Sequence, residues 1–231
     1  WSEWLGGKYS TFVNSGASAN LITLKILKEI KKNKNEVIVP AFTWNSDVVS
    51  IINSGFKPIF VDIKLKNLAL DEEKVKRKIT KKTAAIFLTH AMGFVGISKN
   101  FIKFIKKKKI FLIEDACESH GSNLNGKKSG TLGEISNFSF YYSHHMSTIE
   151  GGMISTNNED LYDLMKLKRT HGLARASKNF ADYAKKYSDI EKTFLFVTDG
   201  YNFRNTELAA VLGLSQLKRL DSFITNRKYI F

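Results

Sequence analysis

Ala84–Asp115 reads AAIFLTHAMGFVGISKNFIKFIKKKKIFLIED, and its three parts decide the fold. Ala84–Thr89 is a short, unbroken apolar run, which predicts a strand buried on both faces and ending at His90. Lys99–Lys108 sets Phe101, Ile102 and Ile105 on one side and lysines on the other, the pattern of an amphipathic helix. Ile110–Glu114 is a second apolar strand, delivering Asp115 at its end. Strand, helix, strand in close succession predicts two parallel neighbours in one sheet.

The alternation continues outward in both directions. Upstream, a strand runs through Val13 into Asn14-Ser15-Gly16, and a helix from about Ala17 carries Leu21, Leu24, Ile26 and Leu27. Strand Val37–Pro40, helix Asp47–Ser54, strand Lys57–Ile63 and helix Asp71–Ile79 follow. Downstream, Gly126–Gly133 is a turn-rich loop. Phe138 and Phe140 alternate with Ser139 and Tyr141, as in a half-buried strand. Met153–Thr156 reads as a strand, Glu159–Lys168 as a helix and Thr170–Arg175 as a loop. Residues 176–199 have no clear period. From Glu207 a last helix has Leu208, Val211, Leu212 and Leu217 in phase. The fold class is therefore α/β with a largely parallel sheet.

The chain of 231 residues is 43% hydrophobic and 25% charged, ordinary values for a globular domain. It opens WSEW without Met and stops at Phe231 in mid-pattern, so a longer parent chain is expected at both ends. The single cysteine, Cys117, excludes an internal disulfide framework and a multi-thiolate zinc site; no metal site is expected. No apolar run reaches the ~18 residues that span a bilayer, and the expected location is cytoplasmic. The net charge of +14 is spread along the chain, with one dense patch at Lys103–Lys109 on the solvated side of its helix. No nucleic-acid-binding motif accompanies it.

Candidate chemistry gathers where strands end. Phe138–Gly152 (FSFYYSHHMSTIEGG) delivers two histidines, two hydroxyls, an acid and a Gly-Gly turn, and imidazole exchanges protons near neutrality. Asp115, following an apolar strand, needs a partner to offset its desolvation. Gly16 and the small residues after it lead a helix N-terminus, a ready phosphate site or a plain cap. Trp44, just past a strand end, offers either core volume or a flat face for stacking on a ring.

VNSGASAN, VIVPAFTW, KPIFVDI, IEDACESHG, FSFYYSHHMSTIEGG and GYNFRNTELAAVLGLSQL together resemble, in order, the DegT/StrS sugar aminotransferases. The resemblance covers nearly the whole chain. It implies the large domain of the aspartate aminotransferase fold (fold type I), the C-terminal small domain lying outside this chain. The implied cofactor is pyridoxal or pyridoxamine 5′-phosphate, and the implied substrate a nucleotide-linked keto-sugar of surface-polysaccharide or deoxysugar synthesis. By the same resemblance Asp115 pairs with the pyridinium nitrogen, Trp44 stacks on the ring and Glu118 lies beside the ring hydroxyl. Gly16, Ala17 and Ser139 hold the phosphate. Ala17 replaces the usual hydroxyl residue, so one side-chain contact is lost or moved to Ser18. Asn202 is the phosphate ligand lent across a homodimer.

One departure decides the activity that the resemblance implies. His144 stands where the aminotransferases carry their Schiff-base lysine, and imidazole cannot form an imine. A smaller branch shares this change: the 3-dehydratases that remove the C3 hydroxyl of 4-keto-6-deoxy sugars, including the one in colitose synthesis. In that branch His171 and Arg175 correspond to sugar-side residues, and His144 is the base that deprotonates a non-covalently bound cofactor. The implied products are ammonia and a 3-deoxy-4-keto sugar, with His145 structural. Three other readings stand beside this one. Transamination could use Lys127 or Lys128 as a stand-in amine, the chain could bind cofactor without catalysis, or its basicity could serve nucleic acid.

Overall fold

The computed structural model describes residues 1–230. Seven strands form the central sheet: β1 (Tyr9–Val13), β2 (Glu36–Pro40), β3 (Lys57–Val61), β4 (Thr83–Thr89), β5 (Phe111–Asp115), β6 (Ile135–Ser139) and β7 (Gly152–Thr156). Their order is β1-β7-β6-β5-β4-β2-β3. Pairs from β6 through β3 are parallel, and β7 is antiparallel to both β6 and β1. Only β7 therefore runs against the rest. Six strands end at one edge of the sheet, and that edge is where the chain turns into its loops.

Seven helices of more than one turn accompany the sheet: α1 (Gly16–Ile30), α2 (Asn45–Asn53), α3 (Glu72–Lys78), α4 (Lys99–Lys107), α5 (Glu159–Arg169), α6 (Phe180–Lys186) and α7 (Glu207–Ile230). Ser15 caps α1 and Ser98 caps α4, each hydroxyl accepting a first-turn N–H. One core layer joins α1 and its neighbours to the sheet through Ile22, Leu24, Ile26, Val37, Phe87 and Ile113. The opposite layer holds α4 by Phe101 and Ile105, the side its lysines leave apolar. Helix α6 fills part of the stretch where the sequence shows no period.

Two expectations need correction. The strand leading to the histidines spans Ile135–Ser139, and all five of its residues are buried. The alternation at 138–141 predicted a half-buried strand, but α1 packs over one face while Phe138 and Phe140 enter an aromatic cluster with Leu5, Met146 and Leu220. The phase of α7 also differs. Leu208, Val211 and Leu212 are 80%, 64% and 42% exposed, whereas Ala209 and Leu220 are buried and Leu217 packs on the aromatic cluster. Gly213 lies on the inward side: a Cβ there would lie 3.0 Å from Thr148 Cγ2, so this face of the helix abuts the loop after β6.

Glu114, fully buried on β5, fixes the turn-rich loop. Its carboxylate accepts N–H groups of Gly130, Leu132 and Gly133 at 2.6–2.7 Å and faces His90 Nε2 at 2.9 Å. A buried carboxylate is tolerated only when so satisfied. This loop is thereby tied to the strand that presents Asp115.

Candidate functional site

A cavity of about 840 Å³ opens at the strand-end edge. Its wall is assembled from the N-terminus of α1, the segment after β2, the ends of β4, β5 and β6, and the loop 140–151. Of the residues the sequence singled out, Gly16, Ala17, Trp44, Asp115, Glu118, Ser139 and His144 all line it. His171, Arg175 and Asn202 do not. The segments carrying His171 and Asn202 are joined to each other, Thr170 bridging to Asn202 and His171 N donating to Tyr201 O, with Arg175 in the short helical turn that follows.

The α1 end is tightly fitted. A Cβ at Gly16 would meet Ser139 Cβ at 2.8 Å and Cys117 Sγ at 3.1 Å, so only glycine lets the helix start this close to β5 and β6. First-turn N–H groups have no helical acceptor, and those of Gly16 and Ala17 stand at the cavity together with the Ser139 hydroxyl. Ser18, which the resemblance offered in place of a hydroxyl at Ala17, does not line the cavity. Ser18 Oγ lies 2.9 Å from Ser15 Oγ, and it is Ser15 that lines the cavity.

Asp115 is 4% exposed. Its Oδ1 accepts the Cys117 N–H at 2.9 Å and its Oδ2 the Asn20 amide at 3.2 Å. Glu118 Oε2 accepts the Met92 N–H at 2.9 Å, and Met92 sits in the left-handed region at φ 54°. Burial, reinforced by the Asp115 charge, pushes the Cys117 thiol well up, so it stays protonated. Trp44 is 71% exposed on the rim, preceding α2.

His144 stands on the loop that leaves β6. Phe140 N donates to Gly151 O, Thr148 N to Phe140 O, and His144 N to Tyr141 O, at 2.8–3.0 Å. These bonds close the loop and hold the imidazole at the cavity. Burial lowers the His144 pKa, outweighing the opposite pull of Glu118 and Asp115, so the ring is neutral at pH 7. His145 does not line this cavity but a smaller recess of about 460 Å³, which His144 also borders, and burial brings its pKa to about 4. Among the described residues no lysine lines the main cavity. Lys127 and Lys128 form a strand of a small hairpin, where Lys128 Nζ lies 3.9 Å from the Trp4 ring centroid and donates to the Trp4 carbonyl.

Sequence reasoning missed Asp47, Asn20, Thr43 and Thr89, which build a polar network beneath Asp115. An acid in the first turn of a helix is ordinary dipole compensation, so nothing local marked Asp47 as buried. Among the described residues no cluster of His, Cys, Asp and Glu could hold a metal ion, and no helix is long and apolar enough to cross a membrane.

Fold and cavity together define an α/β domain whose binding site gathers at strand ends and helix N-termini, the usual place for phosphate-bearing ligands in such sheets. The chain belongs to the DegT/DnrJ/EryC1/StrS aminotransferase family, which it matches over residues 1–231. It is 40% identical over 233 aligned residues to GDP-4-keto-6-deoxy-D-mannose 3-dehydratase of Yersinia pseudotuberculosis, covering 98% of this chain and 59% of that protein. An Escherichia coli GDP-4-keto-6-deoxy-D-mannose-3-dehydratase with bound hydrated pyridoxal phosphate superposes with a TM-score of 0.86 at 34% identity, covering 99% of this chain and 60% of that one. A GDP-4-keto-6-deoxymannose-3-dehydratase mutant with bound GDP-perosamine gives a TM-score of 0.88 at 35% identity, with coverages of 99% and 61%. The chain thus spans about three fifths of the length of the relatives it matches. The fold is that of the aspartate aminotransferase-like large domain, with the mostly parallel sheet that the alternation predicts.

Proposed function

We propose that the full-length protein removes the C3 hydroxyl from a nucleotide-linked 4-keto-6-deoxy sugar, using pyridoxamine 5′-phosphate held without a covalent bond. One observation carries this reading: the cavity wall presents Asp115 and a neutral imidazole, His144, but no lysine among its described residues. The names of the similar dehydratases support it.

The residues present fit the group. Gly16 leaves no room for a side chain against Ser139 and Cys117, so backbone N–H groups rather than bulk meet a phosphate there. When bound, the cofactor supplies an amine that condenses with the sugar ketone and a protonated ring that accepts electrons. Asp115 would hold the proton on the ring nitrogen, its own oxygens already fixed by Asn20 and Cys117. Trp44, open on the rim, would stack on the ring, and Glu118 would meet the ring hydroxyl. Gly16, Ala17 and Ser139 would hold the phosphate.

His144 would take the proton from the carbon that bears the cofactor's amine. It would then return a proton to the departing C3 oxygen, a step that needs the imidazole neutral at the start. His171 and Arg175 would face the sugar. Asn202, away from its own chain's cavity, would reach the partner's phosphate in a homodimer. The exposed Leu208, Val211 and Leu212 on α7 give such a dimer apolar surface to cover. A cytoplasmic site of action accords with substrates of this class.

The test is product analysis. Full-length protein, pyridoxamine phosphate, glutamate and a panel of nucleotide 4-keto-6-deoxy sugars should yield a 3-deoxy-4-keto sugar by mass. An amino sugar instead, or cofactor trapped on any lysine by borohydride, would replace dehydration with amino-group transfer.

A further inference from the structure

Two carboxyl groups lie buried together beneath the cavity. Asp47, in the first turn of α2, is fully buried, and Asp115 nearly so. The amide of Asn20, on α1, donates to both, at 2.8 Å to Asp47 Oδ1 and 3.2 Å to Asp115 Oδ2. No lysine or arginine pairs with either among the described residues. Like charges this close, sharing one neutral donor, cannot both ionise without large expense.

The hydrogens around Asp47 can be counted. Asp47 Oδ2, Thr43 Oγ1 and Thr89 Oγ1 form a triangle with edges of 2.5, 2.9 and 2.5 Å. Each edge needs one hydrogen between its two oxygens. The two threonines supply one each. With an ionised Asp47 the third edge has none, and two oxygens face each other bare. A proton on Asp47 completes the ring, so each oxygen donates once and accepts once.

We propose that Asp47 is held as a neutral carboxylic acid that closes this ring and, through Asn20, fixes Asp115 toward the cavity. It is a positioning residue. The protonation state stands on the geometry alone; its use in orienting Asp115 rests on the function proposed above. Burial first, and the Asp115 charge second, push the Asp47 carboxyl well above the usual carboxylate range. The groups facing Asp47 are Asn20 from α1, Thr43 ahead of α2, Thr89 from β4, and the titratable Asp115 and Cys117 at the end of β5.

The test uses full-length protein and Asp47→Asn, whose amide keeps a donor and an acceptor without a charge. Infrared difference spectra of the cofactor-free protein at pH 7, wild type minus variant, should contain the carbonyl band of a protonated carboxyl. A carboxylate band alone would overturn the proposal. Stability gives a second readout. The unfolded chain releases this proton near pH ~3.9 while the folded one retains it, so wild-type stability falls as pH rises through that window. The melting temperature of Asp47→Asn minus that of wild type should therefore grow between pH 4 and 7, by about 3 °C or more. A difference that is flat or shrinks with pH would sink the idea, whereas a merely structural role would leave it flat.

For the orienting role, Asp47→Ala should weaken pyridoxamine phosphate binding about tenfold or more, with Asp47→Asn near wild type. Unchanged affinity in Asp47→Ala would remove that role, and the Asn variant's infrared and melting tests stand even if the Ala variant does not fold. A wild-type protein that binds no pyridoxamine phosphate would instead refute the proposed function, leaving the infrared and pH results to decide Asp47.

Discussion

The wall of the cavity and the segment 170–204 are built on opposite terms. The wall residues follow strand ends or open helices, so the sheet fixes where the segments that carry them begin. Asp115 is the last residue of β5, Ser139 the last of β6 and Gly16 the first of α1. The other segment has no place in the sheet and is attached through isolated bridges and an ion cluster around one buried lysine. Lys168, 1% exposed, joins Glu29 and Asp199 and donates to Thr198. Its functional candidates, His171, Arg175 and Asn202, do not line the cavity of their own chain. The first region gathers its candidates around one cavity; the second carries candidates that line none of it.

The sharpest way to break this contrast is at His144. If the wall alone carries the proton transfers, His144→Asn should lower dehydration by about 10²–10⁴-fold, the usual contribution of a positioned acid–base group. Cofactor binding should change little, because Asp115, Ser139 and the α1 terminus are untouched. Single-turnover loss of substrate, measured beside equilibrium binding of pyridoxamine phosphate, checks both halves. Unchanged turnover would move the base elsewhere.

A smaller effect probes the other region. If Asn202 completes a neighbour's site, Asn202→Ala should weaken cofactor binding by about tenfold, one hydrogen bond to a charged group. The decisive measurement mixes it with His144→Asn. A mixed dimer holds one site carrying both changes and one carrying neither, so with cofactor held below the weakened affinity of Asn202→Ala, co-refolded subunits should exceed the activity of either variant alone. No recovery would confine Asn202 to its own chain.

This contrast also explains what the sequence made legible. Strand ends are marked by composition: an apolar run followed by an acid, a glycine or a histidine announces both the element and the residue at its mouth, which is how Asp115, Gly16 and His144 came to view. Ser139 and Glu118 needed the family resemblance, since a serine in a strand and an acid in a loop carry no signal of their own. Asp47 escaped both routes, because its burial depends on Asn20, Thr43 and Thr89 converging from separate elements, a tertiary fact with no local trace. The stripe on α7 failed for a related reason. Leu208, Val211 and Leu212 do share a face, but within this chain the opposite one, with Ala209, Gly213 and Leu220, packs inward.

The smallest expected effect lies behind the wall, where support for His144 can be separated from its chemistry. His120 is 2% exposed, with Trp1, Phe138, Phe140 and His145 around its ring and, among the described residues, no hydrogen-bond partner on either nitrogen. Burial first, then His145 and His144, hold its pKa well below the ordinary histidine value. The sign follows from which state binds the proton. Below about pH 6.5 the unfolded chain takes one up and the folded chain does not, so stability present above that pH is lost as it falls. Each unit of pH can cost up to about 1.4 kcal/mol from this group, about 3–5 °C of melting temperature in a chain of this size. His120→Phe removes that term while leaving the weaker ones of His144 and His145. Its melting temperature should therefore exceed the wild-type value most at pH 5 and least at pH 8, with dehydration at neutral pH nearly unchanged. A pH-independent difference would mean that the ring is not buried neutral, and lost activity at full stability would move His120 from scaffold to proton path.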